Sequence, residues 1–441
     1  KLVSPGIART ECNTPENPMN NTRLKITLFL VNALWICTGG TLLLAGDLQA
    51  WSQWRGPERN GHVGSGTWPE ALGDSNLVKH WRVELPPSYS GPVVSADRVF
   101  VTYTRDKKFE GVRALDRQSG KEAWKAEWEG AMTVAGLGTS MGSWIRATPA
   151  YEQDGLFVAG MPDLLVSLDP DTGAEQWRAD FHARYGTPIP ELGFVCSPLV
   201  VEDGVYVQTA NSFVKVDRKT GRSVWRCMER KEKGSEGMGQ GSYSSPDFAV
   251  IKGRPQLLVA DIDAIAGVDP ASGKVLWNRV LDSYDQGCIL APIVYGNGIF
   301  TSTRASRTGH YPLVYGNGQF SLTDGWKNKL IVYMSSPIIM GDFAYLHLKN
   351  GRFACVDLRD GTINWISNRP FGKYCSMVWL KDRILGLTDD GRLLLIQADP
   401  DQFILIDSRH IASDETWGHL AIVGQDIYIR ERNAVTAYRW Q

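Results

Sequence analysis

Leu168-Asp169-Pro170-Asp171-Thr172-Gly173-Ala174-Glu175-Gln176-Trp177 reads as the end of one strand, a tight turn and the start of the next strand. An apolar residue closes the first strand. The Asp side chain accepts hydrogen bonds from amides in the turn. Gly supplies the positive φ that the turn needs. Four positions later a Trp stands on one face of the returning strand, where a large flat ring can pack between neighbouring sheets. The same grammar recurs as Asp116, Gly120, Trp124; Asp169, Gly173, Trp177; Asp217, Gly221, Trp225; Asp269, Gly273, Trp277; and Asp357, Gly361, Trp365. From Trp124 to Trp277 the steps are 53, 48 and 52 residues. A repeat of that length built from short strands is a propeller blade.

A second motif sits between these hairpins. Short strands open at Gly91-Pro92, Thr148-Pro149, Ser197-Pro198, Ser245-Pro246, Ala291-Pro292 and Ser336-Pro337. Several continue into a turn and a second strand with period-two alternation, as in Val200 to Val207. Each unit therefore supplies about four strands. Five units are plain. A sixth lies between Trp277 and Trp365, with a degenerate hairpin at Thr323-Asp324-Gly325 before Trp326. A seventh runs from Cys375 to about Asp407, its turn worn down to Ala398-Asp399-Pro400-Asp401. The last piece, Trp417 to Trp440, holds about three strands, and Leu77 to Leu85 with Trp81 provides the fourth. Closing the ring with strands from both ends leaves no open edge. The fold read from the chain is all-β, an eight-bladed β-propeller of four-stranded antiparallel blades. Residues 1–50 are an extension with a signal peptide, 51–76 a lead-in and 77–441 the propeller.

Composition agrees. The 16 Trp and 45 Gly among 441 residues suit a structure of repeated rings and many turns, and 43% hydrophobic residues are enough for a core. A net charge of −1 gives no electrostatic footprint for nucleic acid or anionic membrane. Beyond the leader, Cys196, Cys227, Cys288, Cys355 and Cys375 form no Cys-x-x-Cys pair and read as small core residues. The seven His are scattered without metal-ligand spacing. No metal site is assigned.

Residues 1–18 are polar and unpatterned. Met19 reads as the true start. Arg23 and Lys25 then precede an apolar run from Ile26 to Ala45. This is the pattern of a secretory signal, with cleavage expected after Ala50 or Ala45. An uncleaved anchor is the alternative and would be the chain's one link to a membrane. Leu34-Trp35-Ile36 before Cys37 is a poor lipidation site.

The repeated Asp-x-x-Thr/Ser-Gly-x-x-x-Trp hairpins resemble the tryptophan-docking motifs of quinoprotein dehydrogenases and the pyrroloquinoline-quinone (PQQ)-like repeats of BamB-type envelope proteins. Trp51-Ser52-Gln53-Trp54-Arg55-Gly56-Pro57 is similar to the opening of exported PQQ-like proteins from planctomycete-type bacteria. The resemblance implies the fold. For function it implies a choice among scaffold, enzyme and sensor. The chain has no adjacent cysteines of the kind quinoprotein alcohol dehydrogenases place against the quinone. The reading is a non-catalytic binding or scaffold propeller of the periplasm or cell envelope, a monomeric ring holding a protein or glycan. A PQQ-dependent dehydrogenase, with a divalent cation polarising the quinone, is the first alternative. A sensor module is the second. No catalytic residue is assigned, and no cofactor outside that dehydrogenase alternative.

Long links between blades, at about 131–147, 181–196 and 229–243, gather at one end of a propeller around its channel. They and their counterparts bring Trp144, Arg146, Glu191, Tyr243, Tyr374, Trp417 and His419 towards that mouth. Arg suits an anionic group and aromatic rings suit a sugar or quinone. The alternative is that these side chains plug the channel. Gly138-Thr139-Ser140-Met141-Gly142 has the Gly-x-Ser-x-Gly spacing of a hydrolase, but no helical pattern follows it. Gly136 and the set Gly237, Gly239 and Gly241 likewise open no helix and read as connections.

Overall fold

The computed structural model describes residues 50–64, 66–134, 142–230, 243–281, 289–303 and 307–441. The leader, Cys288, the stretch Gly136 to Met141 and the glycines at 237, 239 and 241 lie outside the described residues. Among the described residues there are eight antiparallel sheets, and no helix is long and apolar enough to cross a membrane. Blades 1 to 7 take residues 93–129, 150–180, 199–227, 247–280, 293–328, 338–366 and 375–410. Blade 8 combines Ala421–Val423, Asp426–Glu431 and Ala434–Trp440 with Leu77–Glu84, which pairs antiparallel to Ala434–Trp440. The two ends of the propeller thus close one blade.

Within a blade the middle strands are the more buried and the outer strand the more exposed. In blade 2, Gly155–Gly160 and Leu164–Leu168 are buried along their whole length, while Glu175–Asp180 buries only Trp177 and Ala179. The hairpin chemistry is visible in detail. Asp169 Oδ1 accepts from the Asp171 amide at 3.1 Å and from the Thr172 amide and hydroxyl, both at 2.8 Å. These bonds stabilise the carboxylate and hold its pKa below the ordinary value, as they do at Asp116 and Asp217. Gly173 stands at φ +75° and a one-residue register shift follows at Ser167/Leu168. That bulge aims Trp177 outward, onto the turn of blade 3.

Six junctions repeat one contact. The indole N–H of Trp81, Trp124, Trp177 and Trp225 donates to the carbonyls of Arg117, Pro170, Arg218 and Pro270, at 2.9–3.1 Å. Trp326 donates to Leu358 at 2.8 Å and Trp365 to Asp399 at 3.0 Å. In each case the acceptor belongs to the next blade's turn, and in the first five the ring lies over that turn's glycine.

Two junctions depart. Blade 5 does not turn at Thr323-Asp324-Gly325. Its strand Arg307–Gly316 runs on to a turn at Asn317 (φ +52°) and Gly318 (φ +79°), returning as Gln319–Leu322. Asn-Gly is the pair best suited to two consecutive positive φ values, so it takes the turn. Residues 327–328 then pair back to Thr308 and Gly309. Trp277 consequently meets no Asp-Gly turn; its N–H donates to Gln256 of its own blade at 2.7 Å. Between blades 7 and 8 the lead-in does the work: Arg409 donates to the Leu72 and Leu77 carbonyls at 3.1 and 2.8 Å, and Leu72 N–H to Asp407 at 2.7 Å.

Candidate functional site

The link that enters each blade lays down the channel wall. Taking Gly91, Thr148, Ser197, Ser245, Ala291, Ser336, Ser376 and His419 as equivalent starting positions, the residues two places earlier are Tyr89, Arg146, Val195, Tyr243, Ile289, Met334, Tyr374 and Trp417. All eight line one cavity of about 230 Å³. Every blade therefore contributes a side chain at the same register. A second ring lies at the starting positions themselves. Gly91 N–H donates to Thr148 Oγ1, Thr148 N–H to Ser197 Oγ and Ser197 N–H to Ser245 Oγ, at 3.0–3.2 Å. Hydroxyl-to-amide bonds thus stitch blades 1 to 4 together at the mouth. On the other side Cys375 N–H donates to Ser335 Oγ and Leu420 N–H to Ser376 Oγ. Between blades 8 and 1 the backbones touch: a Cβ on Gly91 would lie 2.6 Å from the His419 carbonyl, so only glycine fits.

The floor comes from the lead-in. Trp51 exchanges backbone bonds with Val94, and Tyr151 N–H donates to Ser52. Further along, Val63 N–H donates to the Trp379 carbonyl and Trp379 N–H donates to the Gly61 carbonyl. The segment crosses the channel and leaves Trp54 facing the cavity. Beneath it Arg55 donates to the Pro337 carbonyl at 2.6 Å, and Arg59 to Pro198 at 3.0 Å. Both guanidinium groups lie near the Trp54 ring, 5.6 and 5.2 Å from its centroid. Burial lowers both arginines to about 10, opposed by the charge of Asp247, whose own pKa burial raises to about 6. Both stay cationic at neutral pH.

Of the seven side chains singled out in the sequence, Arg146, Tyr243, Tyr374, Trp417 and His419 line the cavity. Arg146 is fixed by the carbonyls of Leu192 (3.2 Å) and Gly142, with Tyr89 beside it. Tyr374 stacks on Trp417 at 5.6 Å. His419 meets Trp54 edge to face at 5.7 Å, and burial together with Arg55 pushes its pKa down to about 3. Trp144 and Glu191 stand outside the lining. Trp144 packs against Tyr89 at 6.5 Å, and Glu191 acts on Tyr243, whose hydroxyl pKa burial raises to about 12. Trp54, Tyr89 and Tyr333 were not singled out in the sequence. Tyr89 was legible as the residue two places before Gly91. Trp54 sits in the Trp-Arg-Gly-Pro opening, whose destination is not written locally.

Among the described residues no three His, Cys, Asp or Glu side chains gather into a metal site, and none lining the cavity is a carboxylate. A hard divalent cation needs several oxygen ligands, usually including carboxylates. The described part of the wall does not fit a quinone held through such an ion.

A family model described as outer membrane protein assembly factor BamB matches residues 108–367. The outer membrane protein assembly factor BamB of Shewanella oneidensis is 23% identical over 61% of this chain and 61% of its own. The polyvinylalcohol dehydrogenase of a Sphingopyxis species is 26% identical over 53% of this chain and 29% of its own. The chain thus spans less than two thirds of either relative. Among solved structures, BamB from Moraxella catarrhalis superposes with a TM-score of 0.60 at 14% identity, over 83% of this chain and 98% of that one. The quinohemoprotein alcohol dehydrogenase from Comamonas testosteroni gives 0.62 at 13% identity, over 90% and 81%. At such identities these two likenesses speak for the fold alone. The family match covers more than half of the chain, in register with the docking hairpins, and the protein belongs to the family described as outer membrane protein assembly factor BamB.

Proposed function

We propose that this protein is a non-catalytic binding propeller of the bacterial periplasm or cell envelope, which holds a protein or glycan partner at its channel mouth. One observation carries the reading. Eight blades deliver one side chain each to an aromatic cavity that can embrace a ligand, and its described wall includes no carboxylate to serve as a base or to hold a cation. The apolar run Ile26 to Ala45 supports export. The BamB relative supports a protein partner, and the polyvinylalcohol dehydrogenase relative keeps a quinone-dependent enzyme as the alternative.

The test is to titrate PQQ with calcium or magnesium into the purified protein, following tryptophan fluorescence and dye reduction by alcohols and sugars. The expected result is no metal-dependent quenching and no turnover. Tight metal-dependent binding with turnover overturns the binding reading. In parallel, immobilised protein challenged with envelope fractions should retain a component that Trp417→Ala releases.

A further inference from the structure

The hydrogen-bonding polarity of the cavity narrows its ligand. Thr148, Ser197 and Ser245 each accept a backbone N–H through the hydroxyl oxygen. A hydroxyl used in this way still has its own proton to give. Ser376 Oγ accepts from Leu420 N–H at 3.2 Å and lies 2.9 Å from His419 Nδ1. This pairing fixes the His419 ring, which lines the cavity. Arg146 adds a guanidinium on the wall, and Arg55 and Arg59 place two more positive charges beneath Trp54. Asp247 offsets part of the charge of Arg55 and Arg59, but guanidinium still outnumbers carboxylate around the described site, which is rich in donors and has the rings of Trp54 and Trp417 on its lining. It is complementary to a small ring that presents oxygen acceptors at its edge, a carbon–hydrogen face and one negative charge.

We propose that the cavity takes a uronic acid unit of a glycan, its carboxylate on Arg146 and its ring face on Trp54 and Trp417. This rests on the binding reading above and names the ligand class for it. The volume of about 230 Å³ suits a single ring. Arg146 acts as the residue that selects charge, and the two indoles supply affinity without regard to it.

The test is titration of the purified protein with glucuronate and galacturonate, against glucose, galactose and benzoate, read by tryptophan fluorescence and calorimetry. Either uronate should bind about ten-fold more tightly than its neutral sugar, and more tightly than benzoate. Arg146→Met should abolish the preference for the uronate while leaving the weak neutral-sugar binding in place. Trp417→Ala should weaken both sugars about ten-fold. Equal binding of uronate and neutral sugar, tighter binding of benzoate, or full binding by Trp417→Ala overturns the proposal. Absence of any uronate response while an envelope component is still retained removes the uronate assignment and leaves the binding reading standing. PQQ-dependent turnover removes both.

Discussion

Trp225 and Trp277 hold the same place in consecutive blades and end in different environments. Trp225 is half-buried, opposite Lys215 on the neighbouring strand, and reaches out of its blade to the Pro270 carbonyl. Trp277 is opposite Gly267, buried to 4% exposure, and reaches inward to Gln256. A side chain on Gly267 would collide with the indole, so the missing Cβ is what lets Trp277 lie flat over its own sheet. The partner turn has also gone, because blade 5 turns at Asn317-Gly318 instead. A repeated residue thus keeps its place while its role changes with what faces it.

The largest expected effect breaks the docked kind of junction. Gly273 stands at φ +72° with Trp225 Cδ2 only 2.7 Å from where a Cβ would be, whereas Gly318, at φ +79°, has open space around that position. Gly273→Ala should cost about 3 kcal/mol, from strain and collision together, and Gly318→Ala about 1 kcal/mol from strain alone. Urea denaturation of the two variants measures the difference, and equal losses would mean that ring docking adds nothing.

The next concerns how blades 1 and 2 are joined further from the channel. Glu110 is wholly buried, and both its carboxyl oxygens accept from Met161 N–H, at 3.0 and 3.1 Å. Burial pushes its pKa up to about 8 from an ordinary 4.5, against the pull of that N–H. The folded chain therefore holds an extra proton between those two values. Stability is greatest below the lower one and falls as the pH rises through the upper. Glu110→Gln keeps an acceptor for Met161 without the charge. It should stabilise the protein by about 2 kcal/mol at pH 9 and leave it unchanged at pH 4. An equal gain at both values would place the cause elsewhere.

The smallest effect sharpens the comparison itself. Trp225→Phe loses one half-exposed hydrogen bond and should cost about 1 kcal/mol. Trp277→Phe leaves Gln256 Oε1 buried without its donor and should cost about 2 kcal/mol, most of it recovered by adding Gln256→Leu. A double variant no better than the single one would show that the Gln256 bond is not what holds Trp277.

These contrasts also mark what was legible in the chain. Each docking hairpin is written within about ten residues, and its recurrence makes the blades and their number legible. At blade 5 local sequence points to Asp324-Gly325, which mimics the motif, but the chain turns at Asn317-Gly318, which has the stronger turn chemistry. At the mouth, the register two places before each starting position is readable from the links; the sequence reading names Arg146, Tyr243, Tyr374 and Trp417 from it, and the structure adds Tyr89, Val195, Ile289 and Met334. The floor was not readable. Arg55 and Arg59 find their acceptors 282 and 139 residues away, a distance at which no local pattern survives.

That separation also sets a schedule. The stretch from Trp51 to Val63 leaves the ribosome before any blade, yet its resting places lie on blades 1, 2, 3, 6 and 7. Leu77–Glu84 likewise waits for Ala434–Trp440. The first-made part of the propeller thus has partners that are made much later, and a chain interrupted before residue 434 has an open ring. Such long-range pairing makes folding slow and leaves apolar strands uncovered meanwhile. The blade that joins Leu77–Glu84 to Ala434–Trp440 can form only once the chain has been made through that last strand.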